Sequence, residues 1–500
     1  MEILNNLLAG FEIILTWKYL LWCFIGVFLG TLIGILPGIG SIATIAILLP
    51  IAISLGDPTG TLVMMAGIYY GAQYGGSTTS ILLNIPGETS SMITAIDGYK
   101  MSQKGKAGSA LTVSALGSFV GGIIGTVVVC FLATPMINSA LLFGPIEYTS
   151  LMIMCLLGSV FISRNSIFVG LGMLCTGMLL AMIGADVNSG THRLTFGQTF
   201  LLDGITFAIM VMGLFGLPEV LHVLLQNRNS EVKKNKKFFY FDTKDIKQSI
   251  APCFRGTIIG SILGVIPGGG TWISTMASYM IEKKISKTPE KFGTGMVQGV
   301  AGPESANNAA AQTSFIPLLT LGVPFQPIMA MMLSVMLMSD ITPGPQLITD
   351  HPNIFWALIA SFCIGNIMLL FLNLPLIGLW VKLLNIPKVL LYSAIVFFCI
   401  LGAYKINNNW QEVVYILLFF TALGYFFKKI DCDPSPLLLG FVIGGYLEEY
   451  LRRSLLLHDG NFILFLERPI SLFFIVISAI ILGCLIWYKN KNIFHKFLKE

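Results

Sequence analysis

Apolar runs separated by glycine, proline or charge fill almost the whole chain. The clearest are Tyr19–Leu36, Leu111–Pro135, Leu151–Ile162, Ile167–Ile183, Phe207–Leu225, Phe355–Leu384, Val389–Leu401, Val413–Phe427 and Leu472–Trp487. A helix crossing hydrocarbon needs about 20 apolar residues, and several of these runs reach or approach that length. Two others, Ile42–Leu55 and Leu62–Ile85, are too short or too glycine-broken to read as plain spans. The pattern predicts an all-α polytopic membrane protein with roughly 11–14 membrane segments, broken helices and re-entrant hairpins among them.

Composition agrees and narrows the classes. Of 500 residues, 55% are hydrophobic and 11% charged, with a mean hydropathy of +0.81. A soluble domain carries about 25% charge, so the side chains needed to coat this chain in water are missing. A soluble enzyme, a nucleic-acid binder and a disordered scaffold are excluded together. The nine cysteines are scattered with no CxxC pair, and the five histidines form no i,i+3 or i,i+4 pair, so no metal site or cofactor is expected.

Charge placement sets an expected topology. Between Arg228 and Lys247 stand seven basic residues against Glu231, Asp242 and Asp245, a segment that reads as cytoplasmic by the positive-inside tendency. The tail, with Lys489, Lys491, Lys496 and Lys499, reads the same way. The first seventeen residues hold Glu2 and Glu12 with no Lys or Arg, which favours an outside N-terminus, and Tyr19–Leu36 reads as a first span, not a signal peptide. The expected organisation is an N-terminal segment 1–18, a first membrane half 19–227, a basic linker 228–249, a second half 250–487 and a basic tail 488–500. Lys100, Lys104, Lys106, Lys283, Lys284, Lys287 and Lys291 read as loop residues at headgroup level. Glu448, Glu449, Arg452 and Arg453 read as an i,i+4 surface or partner contact.

The two halves echo each other. Gly30-Thr31-Leu32-Ile33-Gly34-Ile35-Leu36-Pro37-Gly38-Ile39-Gly40 returns 230 positions later as Gly260-Ser261-Ile262-Leu263-Gly264-Val265-Ile266-Pro267-Gly268-Gly269-Gly270. A weaker echo at an offset of 234 sets Gly71–Ser80 opposite Ser305–Ser314, and an apolar run then ends at Pro86 in one half and Pro324 in the other. Inside a bilayer every backbone N–H and C=O must be paired, so a helix breaks only where protein or a wet cavity covers the break. Paired Gly/Pro breaks at matching positions are the best sequence pointer to a transporter's substrate site. The competing reading is that Gly34, Gly38 and Gly264 merely allow helices to pack closely.

Candidate substrate contacts are therefore Pro37, Gly38, Gly40, Gly75, Gly76, Ser77, Thr78, Thr79, Pro267, Gly268, Gly269, Gly270 and Thr271. Half-helix starts present free N–H groups that accept anions, and hydroxyls can bind carboxylate oxygens. Candidate coupling-ion ligands are Asn84, Glu304, Asn307, Asn308, Thr313 and Ser314. An acid such as Glu304 in a membrane stretch is costly and marks an ion ligand or proton carrier. Its alternative reading is an N-terminal helix cap at the interface.

Taken together, several motifs resemble the large membrane subunit (TctA) of the tripartite tricarboxylate transporter family. They are Gly34–Gly40, Tyr74-Gly75-Gly76-Ser77 through Asn84-Ile85-Pro86-Gly87, Lys104–Gly108, Pro267–Gly270, Gly299–Ala310, Leu321-Gly322-Val323-Pro324 and Ile341–Pro345. The resemblance implies a bacterial inner-membrane permease that is not an enzyme and imports citrate-like di- or tricarboxylates, coupled to Na⁺ or H⁺. It also implies two inverted repeats, a small membrane subunit as partner, and a periplasmic binding protein that delivers substrate. Two other classes stay in view. A lipid-directed membrane enzyme would need paired catalytic groups at one depth, and the chain has no His pair and no Gly-x-Ser-x-Gly. A channel or structural subunit would need no coupling acid.

Overall fold

The computed structural model describes residues 2–36, 40–54, 56–163, 166–186, 189–226, 242–267, 270–376, 378, 380 and 388–497. Over these residues the chain is helical except for short 3-10 turns, loops and one antiparallel ribbon, β1 (Gly184–Ala185) with β2 (His192–Arg193). The first part comprises α1 (Glu2–Ile14), α2 (Trp17–Gly34), α3 (Ser41–Ile53), α4 (Pro58–Leu83), α5 (Ser91–Gln103) and α6 (Ala107–Ala140). It continues through α7 (Pro145–Ile162), α8 (Ile167–Ala181), α9 (Phe207–Val211) and α10 (Leu217–Gln226), the last two joined by a π-helical turn at Met212–Gly216. Next come α11 (Thr243–Val265), α12 (Gly270–Ile285), α13 (Gln298–Thr313), α14 (Phe315–Leu321), α15 (Pro327–Met338), α16 (Pro345–Asp350) and α17 (Pro352–Asn373). The rest is α18 (Lys388–Asn407), α19 (Leu418–Lys429), α20 (Ser435–Leu457), α21 (Leu464–Glu467) and α22 (Pro469–Phe497).

Among the described residues four stretches are long and apolar enough to cross a bilayer, namely Trp17–Gly34, Ala107–Ala140, Pro352–Asn373 and Pro469–Ile486, and seven shorter apolar helices accompany them. The all-α polytopic expectation holds. On α11, Ile250, Phe254, Ile258 and Ile262 form an exposed stripe at i,i+4 spacing, while the glycines at 256, 260 and 264 turn the other way into α13. One face suits lipid and the other suits a neighbouring backbone.

Glycine decides the two closest helix contacts. A methyl at Gly26, Gly30 or Gly34 on α2 would strike the α4 backbone at Met64, Ile68 or Ala72. A methyl at Gly256 or Gly260 on α11 would strike the α13 backbone at Gly302 or Ala306, and one at Gly264 would meet Ala310 and the Thr313 hydroxyl. Residue numbers climb together in both pairs, so α2 runs with α4 and α11 with α13. The close-packing reading of Gly34 and Gly264 is thus the one the structure supports.

Several boundaries differ from expectation. Leu62–Ile85 is not broken within: as far as Leu83 it belongs to one continuous 26-residue helix, α4. Its Gly67, Gly71 and Gly75 do not break it, because each lies against the α2 backbone and so trades intrinsic propensity for close packing. Pro58 at its first turn and Asp57, which accepts from the amides of Thr59 and Gly60 at 3.1 and 3.4 Å, start it cleanly. Helix α1 occupies most of segment 1–18. Lys244 and Lys247 belong to α11, and Lys100, Lys283 and Lys284 lie in the last turns of α5 and α12, where a cation suits the helix dipole. The linker from Arg228 to Phe241 lies outside the described residues.

Candidate functional site

Helices α4 and α13 face each other deep in the protein and are joined by a ladder of polar side chains. The Tyr70 hydroxyl donates to Gln312 Oε1 at 2.7 Å, Asn307 Nδ2 donates to Gln73 Oε1 at 2.9 Å, and Ser77 Oγ bonds the Glu304 carboxylate at 2.8 and 2.9 Å. Numbers rise along α4 as they fall along α13, so the two helices run in opposite directions. The middle rung joins residues 234 positions apart, the same offset that aligns the second sequence echo.

That middle rung is incompletely satisfied. Gln73 and Asn307 are each 1% exposed, yet Gln73 Nε2 and Asn307 Oδ1 have no hydrogen-bond partner. The Tyr69 and Tyr74 hydroxyls, also on α4, are buried without one as well. A buried polar group left unpaired costs about 1–3 kcal/mol, and four of them gather on this helix pair.

The last rung is an acid inside a hydroxyl cage. Glu304 is fully buried in the interior of α13, away from its N-terminus, so the capping alternative does not describe it. Besides Ser77, the carboxylate accepts from Thr94 Oγ1 of α5 at 2.5 Å and Ser118 Oγ of α6 at 3.1 Å. Three helices therefore converge on one carboxyl group. Each hydroxyl has a single proton to give, and a hydroxyl can also accept, so the cage serves either the ionised or the protonated acid. Among the described residues no Lys, Arg or His forms an ion pair with Glu304. Asp97, one turn beyond Thr94, holds α5 in place by accepting from the amides of Gly293, Gly295 and Met296 and from the Tyr279 hydroxyl, at 2.7–3.1 Å. That anchor fixes the approach to α13 and so brings Thr94 within reach of Glu304.

The starts of α3 and α12 are built alike. Thr44 Oγ1 bonds the Gly40 carbonyl at 3.0 Å, and Ser274 Oγ bonds the Gly270 carbonyl at 2.7 Å. Helices α4 and α14 each end in a left-handed residue, Asn84 (φ 56°) and Gly322 (φ 69°), and four residues past each stands a polar side chain. Past Asn84 it is Glu88, whose Oε1 accepts from the Ser41 amide at the start of α3 at 2.8 Å. Past Gly322 it is Gln326, whose amide lies beside Gly270 at the start of α12 with its Nε2 buried and unpartnered. Gly270 itself is left-handed (φ 59°), a conformation that accounts for glycine there.

The predicted residues sort as follows. Ser77, Glu304 and Asn307 meet in the ladder. Gly76 faces Gly87 and the Glu88 side chain, and Gly40 lies 3.3 Å from the Gly87 carbonyl by its missing Cβ, so these three converge at the start of α3. Gly75 is spent on α2. Thr78, Thr79, Thr313 and Ser314 return their hydroxyls to carbonyls of their own helix at Tyr74, Gly76, Ala309 and Ala311, and Asn308 Nδ2 donates to the Glu304 carbonyl. Asn84 is exposed and caps α4. Pro267 and Thr271 are half-buried on either side of the second break. Pro37, Gly38, Gly268 and Gly269 lie outside the described residues.

Sequence reading passed over Gln73, Tyr70, Thr94, Ser118, Glu88 and Gln326. For Gln73 a signal existed, because it stands opposite Asn307 in the aligned blocks. Of the surface quartet on α20, Glu448 and Arg452 belong to an ion-pair network, in which Arg193 of β2 bridges Asp186 and Glu448, and Arg452 bonds Glu448 at 2.6 Å.

Comparison with known proteins matches this arrangement to one family. Residues 20–439 match the tripartite tricarboxylate transporter TctA family. An uncharacterized 52.8 kDa protein in the TAR-I ttuC' 3'region of Agrobacterium vitis is 48% identical over 495 residues, covering 98% of both chains. An uncharacterized protein in the TAR-II ttuC' 3'region of the same organism is 54% identical over 212 residues, 42% of this chain and 87% of that protein. No solved structure matches. The chain belongs to the tripartite tricarboxylate transporter TctA family, as a membrane subunit of such a transporter.

Proposed function

We propose that this subunit is an ion-coupled importer of di- or tricarboxylates in a bacterial inner membrane, with its C-terminus in the cytoplasm. It works with a small membrane subunit and a periplasmic protein that hands over substrate. The substrate lies among the starts of α3 and α12 and the Gly76–Ser77 face of α4, with Gly40, Thr78, Thr79, Pro267, Gly270 and Thr271 around it. Glu304 is the coupling residue, backed by Asn307 and Asn308, and binds either a proton or Na⁺. The observation that carries this reading is a fully buried acid, caged by hydroxyls and with no cationic partner among the described residues, one turn from an amide pair with unmet hydrogen bonds. An acid held that way at membrane depth fits a site that loads and releases a cation during each cycle.

The opposite run of α4 and α13 supports inverted halves, since equivalent helices of inverted repeats point in opposite directions. Proteoliposomes holding this chain and its small subunit, supplied with the binding protein and radiolabelled citrate, test the proposal. Concentrative uptake that follows a Na⁺ or H⁺ gradient is expected. No uptake of any carboxylate in a panel overturns it. A Glu304→Gln variant separates carrier from pore, because a carrier loses concentrative uptake while a pore keeps its downhill flux.

A further inference from the structure

The start of α3 already holds a carboxyl group, and the chain supplies it. Glu88 accepts the Ser41 amide at 2.8 Å, in the position a bound carboxylate would take at a half-helix start. Its backbone is pinned rather than loose. Gly87 is wedged between Gly76 and the Gly34 carbonyl, and Ser91 accepts the Glu88 amide at 3.1 Å while Ser80 donates to Ser91 at 2.9 Å. Only the Glu88 side chain has freedom to leave.

Beside it stands unused hydrogen-bonding capacity. Gln73 is one turn before Gly76 on the same face of α4, and Gly76 touches the Glu88 side chain. The Gln73 amide is turned toward the Glu88 loop, since Ser90 Oγ reaches its Oε1 at 3.5 Å. Its Nε2 is buried with no partner, and so is the Tyr69 hydroxyl one turn earlier on that face. These donors point to an acceptor that Glu88, held on Ser41, does not satisfy.

We propose that Glu88 is an internal stand-in for a substrate carboxylate: it occupies the Ser41 amide in the empty carrier and is displaced when an anionic substrate binds between Ser41, Gln73 and Tyr69. The inference rests on the carboxylate-transporter reading and deepens it by naming the subsite and its competitor. An occupied subsite lowers apparent affinity by the fraction of time it is blocked. Glu88 therefore sets a threshold that weakly binding monoanions do not cross.

The test measures equilibrium binding of radiolabelled citrate to the full-length protein in nanodiscs, with melting temperature recorded for each variant. Glu88→Gln keeps an acceptor for Ser41 but removes the charge, so citrate binds about tenfold tighter if the subsite is blocked about nine-tenths of the time. Glu88→Ala removes the competitor altogether, and citrate binds about tenfold tighter on the same reckoning. Unchanged or weaker binding by Glu88→Gln at a wild-type melting temperature overturns the proposal. If Glu88→Gln does not fold, Glu88→Ala decides alone, and affinity no tighter than wild type in it overturns the proposal equally. A wild-type protein that binds neither citrate nor any other di- or tricarboxylate instead removes the transporter reading underneath.

Discussion

The region around Ser41 and the region around Gly270 share a scaffold and differ in charge. Each has a glycine-striped helix packed on a parallel neighbour, a helix start backed by a hydroxyl, and a polar side chain four residues past a left-handed cap. At the first start that side chain is Glu88; at the second it is Gln326. In the ladder the allocation reverses, for α4 contributes the neutral Tyr70 and α13 contributes the acid Glu304. Glu88 thus stands at a helix start and Glu304 in the ladder, with neutral side chains in the matching places. The difference teaches that close packing demands likeness at the glycines, whereas the polar positions beside them are free to differ in charge.

The sharpest way to break this comparison is at the ladder. Replacing Glu304 by Gln leaves the hydroxyl cage filled but removes the titratable group, and gradient-driven citrate accumulation in proteoliposomes falls to background while citrate exchange persists. The helix starts come next. Gln326→Glu gives the second start the same charge as the first, and citrate affinity in nanodiscs drops about tenfold as two carboxylates now oppose the substrate.

Smaller effects probe the likeness itself. Gly260→Ala places a methyl on the Ala306 carbonyl and costs about 1–3 kcal/mol of stability, read as a lowered melting temperature. Gly30→Ala against the Ile68 carbonyl should cost a similar amount; a harmless Gly30 variant beside a damaging Gly260 variant would separate the two scaffolds. Smallest of all is Tyr70→Phe, which removes one buried hydrogen bond to Gln312, lowers stability by about 1 kcal/mol and leaves coupling intact.

Much of this molecule was readable residue by residue. Lipid-facing runs, the sparse charge and the Gly/Pro breaks follow from the cost of moving each residue into hydrocarbon, which depends on that residue and its near neighbours. The offset of 230 placed Gly34 and Gly264 in equivalent positions, and the offset of 234 set Gln73 opposite Asn307. Glu304 stood out because an acid in an apolar stretch is expensive anywhere. Reading glycine as a breaker failed in α4, where Gly71 and Gly75 are paid back by contact with α2.

What the tertiary structure alone decided is which distant groups meet. Nothing local to Thr94, Ser118 or Ser77 says that three hydroxyls on three helices share one carboxylate, and nothing near Glu88 says that it reaches the Ser41 amide 47 positions away. Hydroxyls in membrane helices ordinarily satisfy themselves on their own backbone, as Thr78 and Thr313 do, so their sequence signature is the same in either role. Partition between lipid and protein is a property of single residues and was therefore written along the chain. Pairing across helices is a property of packing geometry, and only the folded chain could assign it.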